Sequence, residues 1–347
     1  MTELPPIRAL LGKLELERDS DAAYLIRAED LSLQNMELLR SLTRQLLRGV
    51  HGLDIVAFGS LARHEWTHNS DLDFLIIVGQ DDVTPALLRS ANSVALKCVE
   101  SLEASQPGLT GTFGSTISSF ELVSRIGLES DTNSSTTRRI LILEESASLF
   151  NKISHDRLVD RILTRYLVEY ETPKIGVPRL LLNDVVRYWR TIAVDYQAKN
   201  WARNADDGWG LRYLKLRITR KLCFAAMLAA LFRPAIEGTA CDAHYLARVL
   251  EKPALARLGV LHEFLDDGGV EALRECLQIA GKFNGMLSDR EFRLRAASID
   301  FREGKESRGD DFVSALGAAG RLQECLSKIF FDSNKDLTAV SIKYGLF

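Results

Sequence analysis

No stretch of this sequence approaches the ~18 consecutive apolar residues of a membrane-spanning helix. The most apolar window, Leu222 to Phe232, is short and flanked by Lys221 and Arg233, so no membrane partner is expected. The opening residues MTELPPIRALLGKLELERDS lack both the basic start and the apolar core of a secretory signal, which gives the expectation of a cytoplasmic protein. An excess of one charge is missing too. With 44 Lys and Arg against 47 Asp and Glu the formal net charge is -3, so no global field attracts nucleic acid or an anionic surface, and anion binding has to be local. Cysteine is sparse. Cys98, Cys223, Cys241, Cys276 and Cys325 are odd in number and never closely spaced, as suits buried, reduced thiols. Internal repeats and low-complexity tracts are absent as well.

What is present suffices for two domains, since 347 residues with 46% apolar content can build two cores. Residues 29–48 place Leu31, Leu39, Leu42, Leu46 and Leu47 near one helical face. Gly49 and Gly52 end that helix, and the apolar runs Leu53 to Phe58 and Leu72 to Val78 read as two buried strands. Thr84 and Pro85 have the form of a cap and a first-turn proline for a helix running to about Glu103. The Gly/Ser/Thr-rich stretch from Gln106 to Ser119 reads as loop with at most one strand. A short helix is expected at Glu121 to Arg125, and another from the cap cluster Asp131 to Ser134 up to about Ser148. Within it Ile140 to Leu143 also suits a strand, but the cap favours helix. Beyond Phe150 helical patterns take over, at 155–170, 179–200, 210–232, 241–265, 268–287 and 309–331. The predicted class is therefore α+β, with a strand-bearing domain over 1–150 and an all-helical domain over 151–347.

The segment Phe58 to Val78 carries the chemistry. Gly59 and Ser60 end a strand and open a short helix or turn, where small residues let backbone N–H groups approach a phosphate. Arg63, one turn on, adds positive charge. Asp71 and Asp73 stand one residue apart at the start of an apolar strand, and the two-residue side-chain period puts both carboxylates on one face. Two adjacent hard oxygen ligands suit Mg2+ or Mn2+, with the remaining positions left to water and substrate phosphates. His64, Glu65 and His68 overlap this motif as a His-Glu-x-x-His zinc pattern. That reading is set aside, because the short polar link between two strands leaves no room for a regular helix with both histidines on one face.

In the form Gly-Ser-x-x-Arg-x-Glu followed by Ser-Asp-Leu-Asp, the segment resembles the signature of the DNA polymerase β-like nucleotidyltransferase superfamily, and most closely its PII-uridylyltransferase-like/DUF294-type branch. The resemblance implies a small mixed sheet flanked by helices, Gly59 and Ser60 on a nucleoside triphosphate, and Asp71 and Asp73 on two metal ions. It also implies a third carboxylate from a later strand, yet Gly108 to Ser119 contains no acid. Glu121, Glu144 and Glu145 are the downstream candidates, with Glu121 favoured because it follows the loop where relatives place that strand. All three also read as helix-surface charges.

The helical half holds a basic stretch. From Arg187 to Lys221 there are nine Lys/Arg against three Asp, which makes either a solvated face or a wall that binds triphosphate or an anionic acceptor. Lys199, Lys215 and Arg217 are its candidate nucleotide-binding residues, whereas Tyr188 and Trp189 read as core. The sequence thus points to a metal-dependent nucleotidyltransferase that moves a nucleoside monophosphate from a triphosphate to an acceptor. By family analogy a protein acceptor is favoured over RNA or a small molecule. The alternative is a non-catalytic nucleotide-binding regulator or antitoxin-like protein of the same fold.

Overall fold

The computed structural model describes residues 5–79, 83–104, 112–168, 176–202, 208–299 and 309–345, with the backbone alone at 197–202. The chain forms two compact units, one comprising Ala28–Thr172 and Asp242–Pro253, the other Met1–Arg27, Pro173–Cys241 and Ala254–Phe347. In chain order the first elements are α1 (Pro6–Lys13), α2 (Ala22–Leu46), β1 (Leu53–Phe58), β2 (Phe74–Val78), α3 (Pro85–Ser101), β3 (Ser115–Ser118), α4 (Ser119–Ser124), α5 (Asn133–Glu145), β4 (Ser146–Ser148) and α6 (Lys152–Leu167).

The four strands make one mixed sheet in the order β3-β2-β1-β4, with β1 antiparallel to β2 and β4, and β2 parallel to β3. β1 is buried along its whole length, which explains why it is apolar at every position but Asp54. Each fully buried Leu, Ile or Val there contributes about 1.5–3 kcal/mol. Ile55, Ala57 and Phe74 pack with Leu39 and Leu47 of the α2 side and Val94 and Cys98 of α3. The opposite face, bearing Asp54 and Val56, meets α5 and α6. Two capped helices form as their sequences dictate: Thr84 accepts from the Leu87 N–H at 3.3 Å, and Thr132 from the Ser135 N–H at 3.1 Å. Ile140 to Leu143 lie in α5, so the cap outweighed the local strand pattern. Arg139 of the same helix is fully buried, donating to Tyr166 Oη (2.7 Å), to the Leu122 carbonyl (3.1 Å) and to Asp131 (2.5 Å), which ties α4, α5 and α6 together.

The remaining elements are helical: α7 (Arg179–Ala202), α8 (Trp209–Lys215), α9 (Lys221–Glu237), α10 (Ala243–Leu250), α11 (Ala254–Leu258), α12 (Asp267–Ser288), α13 (Arg290–Ser298), α14 (Asp310–Phe331) and α15 (Lys335–Gly345). A π-helical turn, Leu216–Arg220, joins α8 to α9. The helix expected over 241–265 is broken, because Pro253 disfavours helical backbone at the residue before it; α10, α11 and the 3-10 turn Gly259–Phe264 result. Helix α5 stops at Glu145 instead of about Ser148, and Ser146–Ser148 becomes an edge strand on β1. Among the described residues no helix is long and apolar enough to cross a membrane. All five cysteines are buried free thiols, and burial pushes the Cys98 thiol up to about 11.

Candidate active site

β1 ends where Phe58 donates its N–H to the Asp73 carbonyl at 2.9 Å, which brings the start of β2 beside the loop that follows β1. Gly59 then adopts φ +70°, a left-handed conformation that glycine takes without strain. A Cβ at this position would stand 3.5 Å from Asp73 Oδ2, so the bare backbone passes directly beside the carboxylate. Residues 59–64 form successive turns rather than the short helix considered from the sequence. Arg63 N–H donates to the Gly59 carbonyl (3.0 Å) and Glu65 N–H to the Ser60 carbonyl (2.8 Å), while Leu61 anchors the loop in the core. Ser60 Oγ is buried and has no hydrogen-bond partner, the kind of orphan hydroxyl that a bound phosphate oxygen satisfies.

Asp71 is exposed, Leu72 is fully buried and Asp73 is half-buried, so the alternation sends the two carboxylates to the open side and the leucine into the core. The loop is latched on its other side by α2. The Trp66 N–H donates to Ser32 Oγ at 3.1 Å, and His64, in a left-handed conformation at φ +59°, sets Nδ1 3.4 Å from the buried Glu29 Oε1. His64 and His68 share no helical face, since residues 65–68 are not helical; the zinc-peptidase arrangement is not built. Among the described residues there is no group of three or more His, Cys, Asp or Glu side chains placed to hold a metal ion. Asp71 and Asp73 supply two hard oxygen donors, and a triphosphate supplies others. Together with the Gly59 cradle and the orphan Ser60 hydroxyl, this donor set fits a divalent cation bound with its nucleotide.

Arg63 sits differently from the expected phosphate contact. Its Nε is 2.9 Å from Glu65 Oε2, its Nη1 meets Glu145, and the residue is buried. Two carboxylates neutralise its charge, so Arg63 holds the loop in shape and offers no free cation to a substrate. Glu145 arrives here because it ends α5 immediately before Ser146, which pairs with Phe58 across β1. It and Glu144 are buried, not the helix-surface charges read from the sequence. Glu121 is carried away from the site. β3 runs parallel to β2 with Ser118 opposite Val78, so α4 starts at the strand end remote from Asp73, about 17 Å along β2 at ~3.3 Å per residue. There Glu121 is exposed and pairs with Arg125 at 3.5 Å. At the near end of β3, beside Phe74, the Gly114 N–H reaches the Phe74 carbonyl (2.8 Å) and Phe113 lays its ring 5.4 Å from that of Phe58. An aromatic thus occupies the strand entry where a third acid was sought.

The basic residues belong to the helical unit. Lys199 lies in α7, but its side chain is outside the described residues. Lys215 ends α8 and Arg217 lies in the π turn. Arg217 donates to Tyr213 Oη at 2.8 Å, and Lys221 donates to Gln323 Oε1 at 2.8 Å. Burial, then the neighbouring Arg217 charge, lowers the Lys221 pKa. Tyr188 is buried, and Trp189 stacks on Phe224 with ring centroids 5.3 Å apart.

Comparison with known families places a nucleotidyltransferase domain model on residues 36–118, a span that contains β1, the Gly59 loop, both aspartates, β2, α3 and β3. No curated protein matches the chain.

Proposed function

We propose that this protein, whose residues 36–118 match a nucleotidyltransferase domain, transfers a nucleoside monophosphate in a reaction dependent on Mg2+ or Mn2+, with Asp71 and Asp73 as the metal ligands. The observation that carries this reading is the juxtaposition of Asp73 Oδ2 with the bare backbone of Gly59 beside the unpartnered Ser60 hydroxyl. In the reaction the acceptor hydroxyl oxygen bonds to the α-phosphorus, the α–β phosphoanhydride bond breaks, pyrophosphate leaves and the hydroxyl proton passes to solvent. Backbone N–H groups of the Gly59 turn and Ser60 hold the phosphates, and Arg63 positions that turn through Glu65 and Glu145. A divalent ion, when bound, neutralises charge that develops on the phosphates.

A protein side chain is the acceptor this reading favours, by family analogy and because the sequence has no strong overall positive charge. Lys199, Lys215 and Arg217 are assigned to binding an anionic ligand or acceptor on the helical unit. Reversing Lys215 and Arg217 to Glu is expected to weaken that binding about tenfold or more at low ionic strength and much less at high salt, since exposed charges beyond ~8 Å are screened at physiological salt. Affinity and salt slope unchanged from wild type would reduce the cluster to a solvated face.

A second reading is favoured by Phe113, which leaves the near end of β3 without an acid: a nucleotide-binding regulator that does not transfer. One experiment separates the two. The four triphosphates, each labelled on the α-phosphate, are incubated with the protein, Mg2+ and total cell protein or RNA. Label on an acceptor with matching pyrophosphate release supports the transferase, and saturable binding without release supports the regulator.

A further inference from the structure

The sheet face that meets α6 carries a second feature, at the end of β1 remote from the Gly59 loop. Asp54 pairs with Ile77 across β1 and β2, four residues from Asp73 and hence about 13 Å along the strand. Asp54 is buried, with 2% of its surface exposed. Oδ1 accepts the N–H groups of Phe150 at 3.1 Å and Asn151 at 2.7 Å, which fixes the turn between β4 and α6. Neither Oδ2 nor the Ser148 hydroxyl makes a hydrogen bond of good geometry, although that hydroxyl stands close enough to Asp54 to favour its charged form. Burial pushes the Asp54 carboxyl above the usual carboxylate range, opposed by the Asn151 N–H, the Ser148 hydroxyl and the charge of His155.

Beside Asp54 lies a cavity of about 130 Å3, with Ser119, His155, Arg157 and Arg161 also on its walls. His155 also lines the cavity and acts on Asp54 by its charge, with its Nε2 2.8 Å from Ser146 Oγ. Arg157 and Arg161 stand one turn apart on α6, both exposed, and among the described residues neither has an ion-pair partner. The cavity therefore has a buried anion at its floor and two uncompensated cations at its mouth. A simple cation would satisfy the floor and be repelled at the mouth. A simple anion would do the reverse.

We propose that this cavity binds a small zwitterion of the size of the smallest amino acids, with its ammonium on Asp54 Oδ2 and its carboxylate between Arg157 and Arg161. The volume suits about five or six non-hydrogen atoms, the space of roughly four liquid waters. Nothing in the transfer reaction calls on these residues, so the site stands independently of the proposed function.

The test is calorimetric titration of the full chain, without nucleotide, using glycine and L-alanine as probes and acetate and methylammonium as single-charge controls. The zwitterions are expected to bind at least about tenfold more tightly than either control, because each end makes a charge-assisted bond. Asp54→Asn keeps the Oδ1 acceptor and replaces the cavity oxygen by an NH2 group; it is expected to lose binding at least about tenfold. It should also raise the Tm of the ligand-free protein. The sign follows from linkage: with the folded pKa raised, ionising Asp54 costs stability as pH climbs from the unfolded value through the folded one, and Asn removes that cost. A carboxylate serving only the β4–α6 turn would give a lower Tm. The Arg157→Gln, Arg161→Gln double variant lies on the surface and decides the matter alone if Asp54→Asn does not fold. Zwitterion affinity unchanged in that double variant, or no zwitterion binding to wild type so that the cavity holds water only, overturns the proposal.

Discussion

Asp73→Asn is expected to lower the rate of nucleotidyl transfer by about a thousandfold or more, and Asp71→Asn by a similar or somewhat smaller factor, with the fold intact in both. The loss of one metal-bound charge from a phosphoryl-transfer site removes several kcal/mol of transition-state stabilisation, and ~4 kcal/mol is a factor of about a thousand. The ranking comes from position. Asp73 is half-buried against the Gly59 backbone, in surroundings that screen its charge less than water screens Asp71. Neither side chain supports the core, which Leu72 and Phe74 enter instead. Pyrophosphate release, followed with Mg2+ varied over a wide range, measures the effect. Turnover equal to wild type in either variant would sink the assignment of that residue as a metal ligand.

The second large effect falls on stability. Arg63→Met is expected to destabilise the protein by about 3–5 kcal/mol, because Glu145 and Glu65 are left close to the core without this cation. Loop geometry should fail with it, so that nucleotide affinity drops even in the fraction that remains folded. Replacing the buried acid as well tests the cause. If the penalty is the uncompensated carboxylate, Arg63→Met combined with Glu145→Gln recovers a substantial part of the lost stability, and denaturant unfolding of the two single variants and the double one yields the coupling energy. Strict additivity of the two single effects would show that Arg63 and Glu145 do not act as a pair.

The part of the site that could be read in the sequence is the part built within fifteen residues. Gly59, Ser60, Asp71 and Asp73 declare themselves because a strand end, a tight turn and a period of two are local rules. Glu145 could not be read the same way: it is 82 residues from Arg63, and it reaches the loop only because Ser146–Ser148 adds to the edge of β1. That strand has no apolar alternation of its own; its existence depends on the partner. Glu121 was misjudged for a related reason. Spacing alone does not reveal that β3 runs parallel to β2, and that direction decides which end of the sheet α4 leaves from. The capped helices α3 and α5 followed from Thr84 and Thr132, whereas the break at Pro253 was written in the sequence and outweighed by the apolar period around it.

The interleaving of the two units also sets an order of assembly during synthesis. Glu251, just after α10, meets Lys152 of α6 at 3.0 Å, and α10 begins 76 residues after α6 ends, so the sheet unit is complete only after residues 173–241 of the other unit have been made. Residues 14 and 19 wait longer still. Arg274 donates to the Leu14 carbonyl and Gln278 to Asp19 Oδ2, both at 2.9 Å, and these partners emerge some 260 residues later. A ribosome paused before residue 242 thus carries a nascent chain in which neither unit is closed, and α1 and the apolar side chains it buries stay accessible to chaperones until residues beyond 254 have been made.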